Sequence, residues 1–183
     1  MHTSTLTLIP SLLGLALAKP ISRQSSPTFT ITDLSATYPY PFPPYGLDEV
    51  DSHLTISVTY PTVSDPTATT STTCTISWPK GTPPAPSSTW TPCSDPTLEF
   101  RLPVSGWSSD THFTVEFWET TSSEGAGLQG STLLTSGPAD PSGKLFCIQK
   151  GKFNPLTCTF NGPFGSTQNT VVIPAVEESQ QPA

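Results

Sequence analysis

Apolar and polar residues alternate with a period of two along several stretches of this sequence, and this alternation constrains the fold more than any other feature. In LTISVTY (54–60), TLEFRL (97–102) and HFTVEFWE (112–119), every second side chain is apolar. Such a pattern is typical of a β-strand with one buried face and one solvated face. No window shows a convincing helical stripe, so the sequence predicts an all-β protein.

Shorter stretches of the same character predict further strands at residues 28–34, 73–78, 131–136, 145–149, 157–160 and 170–173. The 22 prolines fall almost entirely between these stretches, as expected for a residue that cannot donate a hydrogen bond to a sheet. About eight to ten short antiparallel strands predict a single compact β-barrel or β-sandwich.

The N-terminal residues have the character of a secretory signal. An uncharged apolar run over residues 6–18 ends in Ala-Leu-Ala directly before Lys19, which is a typical cleavage site. The run is too short for a membrane span of about 20 residues, so we expect a soluble, secreted, extracellular protein. The predicted organisation is a signal peptide at 1–18, a linker at 19–27, one domain at 28–173 and a disordered polar tail at 174–183.

The charge balance excludes two classes of partner. The formal net charge is −7, with only seven Lys and Arg residues in 183. Too few cations are present to neutralise several phosphates, so neither nucleic acid nor an anionic membrane surface is an expected partner.

Four cysteines, Cys74, Cys93, Cys147 and Cys158, favour a disulfide framework in an oxidising compartment. Their spacing fits no tetrahedral metal site. Four cysteines allow three pairings, which sequence alone does not distinguish. The local pattern suggests Cys74 with Cys93 and Cys147 with Cys158, because each such pair joins neighbouring strands across a turn-rich loop.

Several segments, taken in order, resemble the fungal small secreted proteins related to the major allergen of Alternaria, the Alt a 1-like family. They are FTITDLSATYP, LTISVTY, TCTISW, CSDPTLEF, FTVEFWE, LQGSTLL, TFNGP and TVVI, and they span about residues 28–173. The resemblance implies a compact antiparallel β-barrel with the first cysteine paired to the second and the third to the fourth. The best-known member dimerises through an extra N-terminal cysteine. No cysteine lies between the signal and Cys74, so that covalent dimer is not expected and the oligomeric state stays open.

Catalysis finds little support in the sequence. No G-x-S-x-G elbow is present. Glu99 and Glu116 are a conceivable glycosidase pair, but both fall on the solvated faces of alternating strands, where Arg101 is placed to pair with Glu116. We therefore expect a non-enzymatic protein, with a small secreted hydrolase as the least favoured alternative.

The acidic cluster Asp48, Glu49 and Asp51 lacks the spacing of a calcium loop, and we expect neither a metal nor a cofactor.

Aromatic residues are the best candidates for a binding surface. The stretch YPYPFPPYG carries Tyr38, Tyr40, Phe42 and Tyr45, and Trp118 falls on the strand face opposite Phe117. Such rings either stack on a partner, where Tyr and Trp are enriched, or fold back to cap an open end of the barrel. Trp118 is predicted to be exposed, or covered only by a loop.

The resemblance implies a protein that acts by binding in the extracellular space, where the fungus meets a host or its environment. Such a protein would be an elicitor, an effector or an allergen-like protein. Some members of the family bind plant defence proteins or small phenolic ligands, and the resemblance implies a similar partner for this chain. The alternative is a carbohydrate-binding or cell-wall-associated module that uses Trp118 and the Tyr38–Tyr45 loop. The expected partner is thus a host or cell-wall protein, a glycan or a small aromatic ligand.

Overall fold

The computed structural model describes residues 26–40, 51–62, 65–84, 89–122, 125–136, 143–160 and 170–183. The predicted signal peptide, most of the predicted linker, and both Phe42 and Tyr45 lie outside these residues, as do Asp48 and Glu49.

The described residues form twelve strands. In chain order they are β1 (Thr28–Tyr38), β2 (Ser52–Thr62), β3 (Asp65–Trp78), β4 (Thr91–Pro92), β5 (Leu98–Arg101), β6 (Trp107–Ser109), β7 (His112–Thr120), β8 (Gly127–Thr135), β9 (Phe146–Gln149), β10 (Leu156–Thr159), β11 (Val171–Pro174) and β12 (Val176–Glu178). A short 3₁₀ turn, Val104–Gly106, precedes β6.

The strands build two antiparallel sheets, and this arrangement confirms the predicted all-β fold as a sandwich. The first sheet has the order β3-β2-β1-β10-β9, with β11 beside the start of β1. The second sheet has the order β12-β8-β7-β5-β4, with β6 beside β7. Every stretch that the alternation marked as a strand contributes to one of the two sheets.

The core lies between the sheets, where the apolar side of each alternating strand is buried. Phe29 of β1 and Phe117 of β7 meet across it with ring centroids 5.8 Å apart. Gly130 of β8 makes this contact possible, because a Cβ there would stand 2.7 Å from the Phe29 ring. The alternation therefore predicted which side chains fill the core.

Both predicted disulfides are present. Cys74 on β3 bonds to Cys93, which follows β4, so this bridge ties the first sheet to the second. Cys147 and Cys158 sit directly opposite each other on β9 and β10. Two such bridges indicate an oxidising, extracellular environment. Among the helices of the described part, none has the length and apolarity to cross a membrane.

The prediction of a disordered tail at 174–183 is wrong. Ile173 on β11 pairs with Phe29, the Ala175 amide donates to the Pro27 carbonyl at 2.9 Å, and β12 then pairs with β8 of the other sheet. The C-terminal segment thus crosses from one sheet to the other. Its polar composition concealed this role because an edge strand is held by main-chain hydrogen bonds, which need no apolar side chains.

Candidate functional site

An aromatic cluster fills one end of the sandwich, at the end of β1 and the start of β7. Trp107 stacks on Phe113 at 5.0 Å between ring centroids, and Trp78 meets Trp107 edge-on at 5.6 Å. Tyr38 contacts Trp78 at 6.1 Å and Trp107 at 6.2 Å. Edge-on and stacked contacts at these distances stabilise aromatic clusters beyond their buried area. We call these four residues the aromatic end.

Tyr38 belongs to this cluster rather than to an exposed surface. Its side chain is 3% exposed, and its hydroxyl has no hydrogen-bond partner among the described residues. Burial, followed by the nearby charge of Asp110, raises the pKa of Tyr38, and burial also raises the pKa of the Asp110 carboxyl. Of the two alternatives for Tyr38, capping is therefore confirmed, because its ring fills the end of the sandwich and offers no exposed binding surface.

Tyr40 lies two residues further along and is half-buried. Its ring meets Phe153 edge-on at 5.4 Å between centroids, and Phe153 lies in the turn between β9 and β10. The Lys152 ammonium stands 5.5 Å from the Phe153 ring centroid, and the Phe153 side chain is 39% exposed. Tyr40, Lys152 and Phe153 form a surface that we call the aromatic edge.

Trp118 does face away from the core, as the alternation predicts, yet it is only 1% exposed. Its ring lies across Gly127 of β8, where a Cβ would stand 2.5 Å from the Trp118 ring. Its indole nitrogen donates to the Thr120 hydroxyl at 3.2 Å. The prediction that Trp118 is exposed is wrong, because a residue on the outer face can still be covered by its neighbours.

A buried carboxyl lies at the opposite end of the sandwich. Glu119 points inward, on the same face of β7 as Phe117, and is 1% exposed. Its Oε2 has no hydrogen-bond partner within the described part of the chain. Burial, followed by the charge of Asp95, raises the pKa of Glu119 to about 7.

The pKa of the neighbouring Asp95 carboxyl shifts in the opposite direction. It accepts a 2.7 Å hydrogen bond from the Tyr60 hydroxyl, and this bond, with others from Thr97, lowers the pKa of Asp95. Burial, followed by the bond to Asp95, raises the pKa of Tyr60 to about 12. Two carboxyls whose pKa values are driven apart are the arrangement from which acid-base pairs are built.

The predicted pair of Arg101 and Glu116 is confirmed, with Arg101 Nε 2.6 Å from Glu116 Oε2 and the two residues directly opposite on β5 and β7. The prediction that Arg101 is solvated is wrong, since it is 7% exposed. Its guanidinium lies 4.3 Å from the centroid of the Trp90 ring. Glu99, the other proposed carboxylate, accepts a hydrogen bond from the Gln181 side chain.

Two of these features were not predicted from the sequence, the burial of Glu119 and the covering of Arg101, and a sequence signal was present only for Glu119. Glu119 continues the inward series of Phe113, Val115 and Phe117, so its parity alone places a carboxyl in the core. The covering of Arg101 depends on the C-terminal residues, which no local pattern connects to β5.

Within the described residues, no group of three or more His, Cys, Asp and Glu side chains is placed to hold a metal ion.

Comparison with protein-family models finds no match for this chain. No curated protein and no solved structure matches it either.

Proposed function

We propose that the chain is a non-enzymatic extracellular binding protein that contacts a partner through the aromatic edge. The observation that carries the proposal is the contact of half-buried Tyr40 with exposed Phe153, with Lys152 against the Phe153 ring. Aromatic residues are enriched in the cores of protein interfaces, and Tyr is among the residue types that carry most of the binding energy there.

Two features support a rigid surface at this place. Tyr40 follows Tyr38 of the aromatic end, and Phe153 belongs to the hairpin closed by the Cys147–Cys158 bridge. A pre-organised surface loses little conformational entropy on binding, which favours affinity. The two disulfides fit the same setting, since they are stable in the extracellular space.

The proposed partner is a host protein, which places the chain among secreted fungal elicitors, effectors or allergen-like proteins. This assignment rests on the resemblance to the Alt a 1-like family and on the predicted signal peptide. Trp118 no longer supports the alternative of a carbohydrate-binding module, because its ring is buried.

The proposal is tested by immobilising the purified protein and passing plant extracellular fluid over it, with leaf infiltration in parallel. A Tyr40→Ser/Phe153→Ser variant removes the aromatic edge. Leu133→Ser is the matched control, because Leu133 is 51% exposed and lies on β8 of the other sheet. We expect a protein that the wild type and the control retain and the double variant loses.

The same three proteins are then incubated with chitin, cellulose and β-glucan. If the wild type is retained on one of these glycans and the double variant is not, the partner is a cell-wall glycan and not a host protein. Absence of any specific partner together with absence of a leaf response refutes the proposal.

A further inference from the structure

The last residues of the chain lie on the outer face of the second sheet and contact β5 from outside. Trp90 Nε1 donates to the Pro182 carbonyl at 2.9 Å, and Arg101 Nη1 donates to the main-chain oxygen of Ala183 at 2.8 Å. The Gln181 side chain donates to the Glu99 carboxylate. We call residues 179–183 the strap.

The groups beneath the strap are held in place by other contacts. The Arg101 guanidinium is fixed on one side by Glu116 at 2.6 Å and on another by the face of Trp90. Arg101 is 7% exposed, so a charged donor is set into the sheet surface with its Nη1 group directed at the strap. Pre-organised donors of this kind make strong, charge-assisted hydrogen bonds to carbonyl oxygens.

What this surface recognises is mainly backbone. Two successive main-chain oxygens, of Pro182 and Ala183, accept from Trp90 and Arg101, and a single side-chain amide satisfies Glu99. A proline between these contacts favours the extended backbone that presents its carbonyls in this way. Any extended segment with an amide side chain followed by proline offers the same groups.

The outer side of the strap is open to solvent. Gln181 and Ala183 are exposed and Pro182 is partly exposed, so a competing segment can reach the groups that hold the strap. A tethered segment still competes strongly, because its effective concentration is in the millimolar range for a short linker. A free peptide with the same chemistry therefore binds only when the strap is loosened.

We propose that Trp90, Glu99 and Arg101 form a peptide-binding site that the strap occupies in cis, and that its partner is an extended segment containing a Gln-Pro step. The site lies on the second sheet and is independent of the aromatic edge on the first. Release of the strap opens it, so the strap acts as a built-in competitor.

The test uses the full chain and a fluorescently labelled, C-terminally amidated peptide of sequence Ser-Gln-Gln-Pro-Ala. Gln181→Glu places a carboxylate against Glu99 and loosens the strap by like-charge repulsion. Gln180→Glu is the matched control, since it adds the same charge at the neighbouring exposed position. The ¹H–¹⁵N resonance of the Trp90 indole, assigned with Trp90→Phe, reports whether the strap has left.

We expect Gln181→Glu to shift the Trp90 indole resonance and to bind the peptide at least about tenfold more tightly than the wild type. Gln180→Glu should behave as the wild type. Adding Trp90→Phe to Gln181→Glu removes one donor and should weaken peptide binding about fivefold to tenfold. An unshifted indole resonance in Gln181→Glu, a released strap without peptide binding, or equal binding by all variants overturns the proposal.

Discussion

Glu119 is an ionisable residue whose surroundings raise its pKa strongly. Its carboxyl is buried at the end of the core, beside the charged Asp95, and its pKa is raised to about 7. In the unfolded chain the same carboxyl titrates near 4.5. Between these two values the folded state holds a proton that the unfolded state has lost, so the stability falls as the pH rises.

We predict that the free energy of unfolding decreases from pH 5 to pH 8 and that Glu119→Gln removes much of this decrease. The Glu119 contribution is fully present below about pH 4.5 and is lost as the pH rises through about 7, because the buried carboxyl must then ionise. The variant should be more stable than the wild type at pH 8 by on the order of 2 kcal/mol. Urea unfolding at a series of pH values measures this difference.

Glu178→Gln serves as the control for this experiment, since it removes a carboxylate at an exposed position. Its stability should follow the wild-type dependence on pH. Asp95 has the opposite effect on the free energy of unfolding, because the pKa of its carboxyl is lowered in the folded state. Ionised Asp95 therefore stabilises the fold at pH values above the ordinary pKa of an aspartate, and this contribution is lost as the pH falls. A wild-type stability that is flat between pH 5 and pH 8 would contradict the account of Glu119.

Gly127 determines whether Trp118 can lie flat on the second sheet. A Cβ at Gly127 would stand 2.3 Å from the Glu119 carbonyl oxygen and 2.5 Å from the Trp118 ring. We predict that Gly127→Ala lowers the free energy of unfolding by about 2 to 3 kcal/mol, because neither backbone nor ring has room to move. Thermal and urea denaturation measure the loss.

Gly125→Ala gives the comparison, since nothing lies within 4 Å of a Cβ there and only its φ of +89° disfavours a side chain. That substitution should cost about 1 kcal/mol. If Gly127→Ala lowers the free energy of unfolding no more than Gly125→Ala does, the prediction that Trp118 packs closely on Gly127 is wrong.

The strap and the strand pair beneath it depend on Arg101. Replacing Arg101 by Leu leaves Glu116 largely buried without its partner and removes the donor to Ala183. We predict a loss of about 3 kcal/mol for Arg101→Leu and a much smaller loss for Arg101→Leu/Glu116→Leu, because the double variant leaves no unpaired charge. A double-mutant cycle by urea denaturation measures the coupling, and additive losses would contradict the prediction.

The strands were predictable because their signal is local. In β2 and β7 the alternation gives both the strand and the buried face, and it places Phe117 inward and Trp118 outward correctly. The order of the strands is not local: β11 pairs with β1 across more than a hundred residues of sequence, and β12 pairs with β8 across about fifty. The strap and the burial of Trp118 belong to this second category, because they depend on which distant segments cover a face.

For the candidate sites the same division holds. The pairing of Arg101 with Glu116 follows from cross-strand register. The contact of Tyr40 with Phe153 does not, since it joins the end of β1 to the turn after β9. Aromatic residues could thus be named from the sequence, whereas their grouping into a buried cluster and an outward edge required the fold.

Taken as a whole, the molecule is a sandwich whose two ends differ in chemistry. The aromatic end is filled by Tyr38, Trp78, Trp107 and Phe113, while Glu119 and Asp95 lie at the other end. The disulfide between Cys74 and Cys93 joins the two sheets. Within the described part of the chain, the aromatic edge is the place where an aromatic pair reaches solvent beside a cation.

Hydrogen-deuterium exchange, measured with the plant protein captured on the wild type and without it, tests the binding account most directly. The account predicts slower exchange on binding at the Tyr40 amide and at the amides of residues 150–154 and 156, with β5 and β8 unchanged. Slower exchange confined to the outer face of the first sheet or to the region around the strap would contradict it, because the aromatic edge would then lie outside the contact.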